Sequence, residues 1–151
     1  MIPQLLRDLL ETGVSVMVGT RDHALMPECT RAWGIKVEPD AASVTVFLTE
    51  TISRRTLANL RENGRIAITC TRPSDHTACQ LKGTVRLIRP ADPRDETPRS
   101  RWKREFFSEL VAVGVPAELC EALITDPVLA VEVDVQESFG QTPGPGAGDR
   151  A

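Results

Sequence analysis

The sequence predicts a mainly β protein of the α+β class, in which six antiparallel strands form a small barrel with short flanking helices. Three observations predict this fold. Six short strand-like segments recur along the 151 residues, separated by turn residues. Most neighbouring segments are joined by short connections, as in a meander. No strand is followed by a glycine-rich loop and a helix, the unit typical of a doubly wound dinucleotide-binding sheet.

The first half of the chain is predicted to hold two helices and three strands. Pro3 suits the first position of a helix, and the leucines after it recur at helical spacing. Asn63-Gly64 is a typical end for the second helix. The elements are a helix at Pro3–Glu11, strands at Val14–Thr20, Pro27–Glu38 and Val44–Leu48, and a helix at Ser53–Glu62.

The second half is predicted to hold three more strands and two more helices. Gly83 indicates a bulge or a close backbone approach within its strand. The segment Pro90–Ser100 is charged and rich in proline, which predicts a loop. The elements are strands at Ile66–Thr71, Gln80–Ile88 and Val128–Val135, and helices at Arg101–Val113 and from Pro116 through Ile124. We expect one domain at residues 1–140, followed by a Gly/Pro-rich tail at 141–151 that cannot build a core.

Charge and composition indicate which kinds of binding partner and which cellular location to expect. The net charge of −3 gives no indication of a nucleic-acid or anionic-membrane partner. No apolar run reaches membrane-spanning length and no signal-peptide pattern opens the chain, so a cytoplasmic location is expected. The four cysteines lack metal-ligand spacing and should be reduced and buried. If Ile66–Thr71 and the following strand form a hairpin, Cys70 and Cys79 are cross-strand neighbours, and a disulfide between them is one alternative.

Ser53-Arg54-Arg55, at the predicted start of a helix, is the most informative motif. Two arginines in a first helical turn are disfavoured by the helix dipole, by about 0.3–1 kcal/mol each. A bound anion would reverse this effect, because backbone N–H groups, a hydroxyl and two guanidinium groups would converge on it. The motif therefore indicates a phosphate site, and the alternative is a solvated turn with Ser53 as an ordinary N-cap.

Two more residues are candidates for ligand binding. Arg31 shares its strand face with Trp33 and Ile35, so it needs an anionic partner, either a structural carboxylate or a ligand phosphate. Gln80 begins a strand of apolar residues. It is either an ordinary surface residue or an amide that binds a planar heterocycle. No arrangement typical of hydrolytic catalysis is present, so an enzymatic activity would depend on a bound cofactor.

Four features, in this order, resemble the pyridoxamine 5'-phosphate oxidase-like family of FMN-binding split barrels over about residues 5–140. They are the strand Val14–Thr20 followed by Pro27 and its strand, Phe47-Leu48-Thr49, Ser53-Arg54-Arg55 with Leu57-Ala58-Asn59-Leu60, and Gln80-Leu81-Lys82-Gly83. The resemblance implies a six-stranded split barrel that binds FMN at a homodimer interface. Ser53, Arg54 and Arg55 would hold the phosphate, with Arg31 close to it. Thr49 would contact the flavin region and Gln80 the ring edge.

The chain departs from the family at its end. The Trp- and Arg-rich C-terminal signature with which true pyridoxamine 5'-phosphate oxidases bind substrate is missing, so pyridoxamine phosphate is not the expected substrate. The sequence thus favours an FMN-dependent oxidoreductase with a small, unknown substrate. The alternative is a non-enzymatic carrier or sensor of flavin or haem on the same fold. A haem would need an axial ligand, and His23 and His76 are the two histidines.

Overall fold

Seven strands of the computed structural model, which describes residues 1–122 and 128–151, form one antiparallel sheet in the order β2-β1-β5-β6-β7-β4-β3. The strands are β1 Ser15–Arg21, β2 Pro27–Ala32, β3 Ile35–Val37, β4 Ser43–Thr49, β5 Arg65–Thr71, β6 Ala78–Pro90 and β7 Val128–Gly140. The helices are α1 Gln4–Leu10, α2 Arg54–Asn63, α3 Pro93–Ala112 and α4 Ala117–Glu121. The helix predicted from Pro116 through Ile124 is α4, and its last predicted residues lie outside the described part.

The two edge strands, β2 and β3, are consecutive in the chain, and this closes the sheet into a barrel. Between them Trp33 N–H donates to the carbonyl of Phe47 at 2.7 Å, and Phe47 N–H donates to the carbonyl of Gly34 at 3.1 Å. A bend therefore divides the predicted single strand Pro27–Glu38 into β2, which pairs with β1, and β3, which pairs with β4. The mainly β antiparallel barrel is confirmed, and the bend raises the strand number from the predicted six to seven.

Gly34 makes the bend sterically feasible. Its φ of +134° lies in a region that residues with a side chain rarely adopt. A Cβ at this position would also lie 3.0 Å from the Phe47 ring. The chain can therefore turn sharply here while the ring of Phe47 stays packed against the bend.

One apolar core fills the barrel and extends under the helices. Inward side chains of the sheet such as Val16, Ile68 and Leu81 are fully buried. On α3, Trp102 joins the same core and donates its indole N–H to the carbonyl of Val14 at 2.9 Å. Each such large side chain contributes roughly 1.5–3 kcal/mol through burial. Among the described residues, no helix is both long enough and apolar enough to cross a membrane.

The prediction of a loop at Pro90–Ser100 is wrong, because α3 begins at Pro93. A capping box stabilises the N-terminus of α3. Asp92 accepts the N–H of Arg94, and Asp95 accepts the N–H of Asp92 at 3.0 Å. Proline at the first helical position needs no hydrogen-bond acceptor for its nitrogen. These local contacts outweigh the proline-rich composition, so the helix starts eight residues before the predicted Arg101.

Three local predictions can be compared with the sheet register. Gly83 lies at a register shift between β6 and β7, and a Cβ there would meet the Asp134 carbonyl at 2.1 Å, so the predicted bulge is confirmed. Cys70 and Cys79 are cross-strand partners, as predicted, and both are buried free thiols. Cys29 is exposed, which corrects its predicted burial, because it points out of the barrel from β2.

The C-terminal tail folds back along the edge of β7. Gly140 N–H donates to the carbonyl of Asp149 at 3.0 Å, and Ala151 N–H donates to the carbonyl of Ser138 at 2.8 Å. A β-bridge joins Phe139 to Arg150. The tail adds exposed backbone hydrogen bonds to the sheet rather than apolar residues to the core.

An ion-pair network fixes the start of α3 to the barrel. The carboxylate of Asp95 is fully buried, accepts from Arg89 Nη2 at 3.0 Å and lies 3.4 Å from Lys36 Nζ. Burial alone would raise the pKa of Asp95, but the hydrogen bonds from Arg89 and the Asp92 N–H outweigh it and hold that pKa below its usual value. Because the folded-state pKa is lowered, the stabilisation is present above the unfolded pKa of about 3.9 and is lost as the pH falls below it.

We expect Asp95→Asn to lower the free energy of unfolding at pH 7 by about 3 kcal/mol, because it leaves the buried Arg89 guanidinium short of a partner. The unfolding free energy of the variant should also fall less steeply below about pH 4 than that of the unmodified protein. Urea titrations across this pH range measure both effects. Glu11→Gln is the control: it removes an ion pair to Arg101 whose side chains are 56% and 54% exposed, and should cost less than about 1 kcal/mol. An Asp95→Asn variant as stable as this control would contradict the network's role.

Candidate functional site

Ser53, Arg54 and Arg55 lie at the start of α2, as predicted. Ser53 occupies the N-cap position, but its side chain makes no capping hydrogen bond to the helix. Its hydroxyl is buried and makes a long hydrogen bond of 3.4 Å with the Thr30 hydroxyl of β2, in which either oxygen could donate. The structure therefore does not contain the ordinary N-cap interaction that was the alternative to a ligand site.

Two asparagines hold α2 against the barrel. Asn59 Nδ2 donates to the Thr20 hydroxyl at 3.0 Å, and Asn63 Nδ2 donates to the carbonyl of Arg21 at 2.8 Å. The first of these bonds is buried, so its loss would leave an unpaired polar group in the core. The second half of α2 is consequently held against the end of β1.

Several hydrogen-bond donors around this helix start lack a partner. The hydroxyls of Thr49, the last residue of β4, and of Thr56 in the first turn of α2 are fully buried and have no hydrogen-bond partner. Buried unsatisfied groups typically cost about 1–3 kcal/mol each. The N–H groups of the first helical turn also have no acceptor within the helix. This arrangement suits an anion with several acceptor oxygens.

The two arginines of the motif project from the surface at the same place. Arg54 is exposed and forms no ion pair or hydrogen bond with the described residues. Arg55, whose side chain is 76% exposed, lies 3.6 Å from the Glu28 carboxylate of β2. One guanidinium is therefore available to an anion directly, and the other is held nearby by an exposed ion pair that contributes little.

A row of side chains crosses five strands on the outer face of the sheet. Each member pairs with the next in the strand register, and all are half-buried, whereas the strand neighbours of Met17, Thr69 and Gln80 are buried in the core. We call it the Arg31 row; it consists of Arg31 on β2, Met17 on β1, Thr69 on β5, Gln80 on β6 and Phe139 on β7. With strands about 4.8 Å apart, Arg31 and Gln80 are separated by roughly 14 Å. The two predicted residues thus lie on one surface, a suitable distance apart to contact opposite parts of one cofactor.

The contacts that Arg31 and Gln80 make within the protein leave some of their hydrogen-bonding groups available to a ligand. Arg31 donates to the Ser15 hydroxyl at 2.9 Å, and its guanidinium lies 6.0 Å from the Trp33 ring centre. No carboxylate of the described residues pairs with Arg31. The structure therefore lacks the structural carboxylate that was one of the two partners expected for Arg31. Gln80 Nε2 donates to the Thr69 hydroxyl at 3.0 Å, which leaves the amide oxygen as a free acceptor.

The adjacent register row lines a cleft of about 760 Å³. We call it the Gly19 cleft; its floor consists of Gly19 and Ala67, and its sides include Cys29, Lys82 and Glu137. None of the six predicted site residues lines this cleft. The small floor residues make the outer face concave beside the Arg31 row.

Sequence reasoning missed several members of the site. Thr56 gave no signal as a ligand residue, and its burial without a partner is visible only in the folded chain. Met17, Thr69 and Phe139 belong to the row through strand register, which a single sequence does not specify. The alternation of valines with polar residues in β1 could have indicated that Met17 faces outward.

The two histidines lie apart from the cleft. His23 is 82% exposed and its Nδ1 pairs with Glu62 at 2.7 Å, and His76 is exposed in the turn before β6. Neither lines the Gly19 cleft. Within the described residues, no three His, Cys, Asp or Glu side chains cluster in a way that could hold a metal ion.

Comparison with known proteins adds information on the fold. No protein-family model matches the sequence, and no curated protein matches it significantly. Among solved structures, HupZ from Group A Streptococcus is similar with a TM-score of 0.62 and 19% identity, over 98% of this chain and 100% of that one. An F420 reductase is similar with a TM-score of 0.57 and 16% identity, over 91% and 98% of the two chains.

A candidate pyridoxamine 5'-phosphate oxidase from Lactobacillus delbrueckii is also similar, with a TM-score of 0.58 and 13% identity over 92% of this chain and 93% of that one. Identities this low show the fold and not the function. The chain has the split-barrel fold of pyridoxamine 5'-phosphate oxidase-like proteins.

Proposed function

We propose that this protein binds FMN and acts as an oxidoreductase on a small substrate. The observation that carries the proposal is the set of unsatisfied donors at the start of α2, namely the buried hydroxyls of Thr49 and Thr56 beside the exposed Arg54. Structural similarity to an F420 reductase and to a candidate pyridoxamine 5'-phosphate oxidase supports a flavin-type ligand. The cytoplasmic location expected from the sequence stays a prediction.

The phosphate of FMN would lie at the start of α2. Ser53, Arg54 and Arg55 would hold it together with the first-turn N–H groups, since phosphate oxygens accept several hydrogen bonds at once. Thr49 would contribute its unpaired hydroxyl at the end of β4. Arg55 would exchange its exposed ion pair with Glu28 for the ligand's charge.

The flavin ring would lie over the outer face of the sheet. Arg31 would approach the phosphate end, and the Gln80 amide would bind a polar edge of the ring. Bound FMN supplies transfer of a hydride or of electrons, while the protein's residues position it and exclude water. The Gly19 cleft beside the Arg31 row would then receive the substrate.

A second copy of the chain would cover this face. The Arg31 row includes the half-buried apolar side chains of Met17 and Phe139, which point away from the barrel core. A flavin on one open sheet face would remain in contact with water, whereas two facing copies would enclose it. The proposal therefore includes a homodimer with FMN at the interface.

We expect the double variant Arg54→Ala/Arg55→Ala to raise the Kd for FMN about 100-fold, because it removes two charge-assisted contacts to the phosphate. Quenching of FMN fluorescence on titration with protein measures this affinity. Arg61→Ala is the matched control, since Arg61 is an exposed arginine in the last turn of the same helix. Equal FMN affinity in the double variant and the control would contradict the proposed phosphate site.

We expect Met17→Glu to convert the dimer to a monomer and to weaken FMN binding, because the new carboxylate would bury a charge in the interface and would pair with its cross-strand neighbour Arg31 in place of the ligand. Sedimentation velocity of the FMN-loaded protein gives the mass. Leu5→Glu is the control, because Leu5 is 78% exposed on α1, away from the outer sheet face. A Met17→Glu variant that stays dimeric would place the interface elsewhere.

Oxidoreductase activity is tested by anaerobic reduction of the FMN-loaded protein. We expect NADH or NADPH to bleach the absorbance of bound FMN faster than that of free FMN, because the cleft beside the ring admits a reductant. Free FMN at the same concentration is the control. Tight FMN binding without faster bleaching by either donor would favour the carrier alternative over an enzyme.

A further inference from the structure

The floor of the Gly19 cleft is a glycine that the backbone itself does not require. Gly19 lies inside β1, and its φ is outside the left-handed region. A Cβ at this position would make an ordinary contact with Ala67 at 3.9 Å. Glycine inside a strand weakens it, because it has no side chain to pack, and it often marks a place where a ligand approaches the backbone closely. Gly19 is therefore best explained by the space that it leaves open.

Three cationic side chains line this cleft. Arg21 lies two residues after Gly19 on β1. Arg65 lies two residues before Ala67 on β5. Because Gly19 and Ala67 are antiparallel register partners, the two arginines point outward from neighbouring strands. Lys82, on β6, is the other register partner of Ala67 and is exposed on the same face.

No carboxylate of the described residues forms an ion pair with any of these cations. The Arg21 guanidinium donates to the backbone carbonyl of Asp22 at 3.0 Å. The Lys82 ammonium lies 4.8 Å from the centre of the Phe139 ring. Like charges on neighbouring strands are destabilising. The two arginines of the cleft therefore repel each other, and an anion between them would reverse this effect.

The acids of the cleft do not balance the positive charge. The cleft is lined by three cations but by two carboxylates, which belong to Glu28 and Glu137. Each carboxylate already lies near a cation from outside the lining: Glu28 is 3.6 Å from Arg55, and Glu137 is 3.6 Å from Arg150. If Arg55 leaves Glu28 for the phosphate of FMN, the released carboxylate still faces three cations.

We propose that the Gly19 cleft binds a substrate that carries a phosphate or carboxylate group. This inference rests on the proposed function, because it names the class of substrate on which the FMN-loaded protein acts. Arg21 and Arg65 would hold the anionic group, since the fork of a guanidinium matches the oxygens of a phosphate or a carboxylate. Lys82 would add a third positive charge.

The order of residues along β1 limits the size of this substrate. Met17 of the Arg31 row, Gly19 and Arg21 follow one another at every second position, and so they share the outer face. At about 3.3 Å per residue, Met17 and Arg21 are roughly 13 Å apart along the strand. With the flavin over the Arg31 row and the anionic group at the arginines, the reacting part of a small molecule would lie over Gly19.

Calorimetry of the FMN-loaded protein tests the proposal. Inorganic phosphate, phenyl phosphate and malonate are titrated at constant ionic strength. Sodium chloride and malonamide, the neutral counterpart of malonate, are the controls. Because FMN occupies the start of α2, these anions have to bind elsewhere. We expect at least one of them to bind with a Kd below about 10 mM, and neither control to bind.

Variants show whether the arginines form the site. Arg65→Gln should weaken binding of the anion about tenfold. It should not lower the Tm, because it removes the repulsion between neighbouring arginines, whereas loss of a structural arginine would lower it. Arg104→Gln is the matched control, because Arg104 is 72% exposed on α3 and does not line the cleft.

A change of the floor locates the rest of the substrate. Gly19→Val should weaken phenyl phosphate at least fivefold, because the new side chain would take the space of the phenyl ring. It should leave the Kd values for inorganic phosphate and for FMN within about twofold. An unchanged affinity for phenyl phosphate would place the substrate elsewhere, and a parallel loss of FMN would assign the floor to the flavin. Either result would overturn the proposal.

The failure of this inference and that of the proposed function give different results. The titrations are repeated without FMN on Arg54→Ala/Arg55→Ala, in which the start of α2 cannot hold phosphate. If the unmodified protein does not bind FMN, but this variant binds the anions and loses them on Arg65→Gln, the flavin function fails and the anion site stands. The inference is overturned if no anion binds below about 10 mM in either form, if malonamide binds as tightly as malonate, or if Arg104→Gln weakens binding as much as Arg65→Gln.

Discussion

The structure depends on the bend at Trp33 and Gly34, where one strand leaves β1 and joins β4. If this segment ran straight, β2 and β3 would be a single edge strand, and the sheet would have two open edges with unpaired backbone groups. The reciprocal hydrogen bonds between this bend and Phe47 instead hold the end of β2 beside β4. Closure then encloses the core and fixes the outer face as a continuous surface.

The placement of Arg31 and the docking of α3 both follow from this closure. Arg31 immediately precedes the bend and points outward, whereas Trp33 lies at the bend and turns its indole toward α3. After the bend, Lys36 reaches the buried Asp95 that holds the start of α3. A short stretch of backbone therefore positions an outward cation, a buried indole donor and an ion-pair network, and the geometry of each depends on that of the others.

The fold could be predicted from sequence to the extent that it depends on local patterns. Valine-rich alternation and the Asn63-Gly64 helix end act within a few residues of each other, so they located most strands and α2. The bend at Gly34 depends on contacts with Phe47, which is thirteen residues further along the chain. The start of α3 depends on its capping box and on the ion pair between Asp95 and Lys36, which is distant in sequence. For the site, Ser53-Arg54-Arg55 is a contiguous motif and could be identified. The Arg31 row is assembled by the register of five strands, and the unpaired hydroxyl of Thr56 is recognisable only once its surroundings are known.

The tail along β7 has a consequence for association between molecules. Beyond residue 134, β7 extends past its partner β4, and its outer backbone groups would be open to pairing with any other extended chain. Natural sheets commonly protect such an edge with charged side chains, proline or a bulge. Here the chain's own residues 148–151 occupy those groups through hydrogen bonds to Ser138 and Gly140. A glycine-rich segment without a core of its own thus shields the sheet from edge-to-edge aggregation.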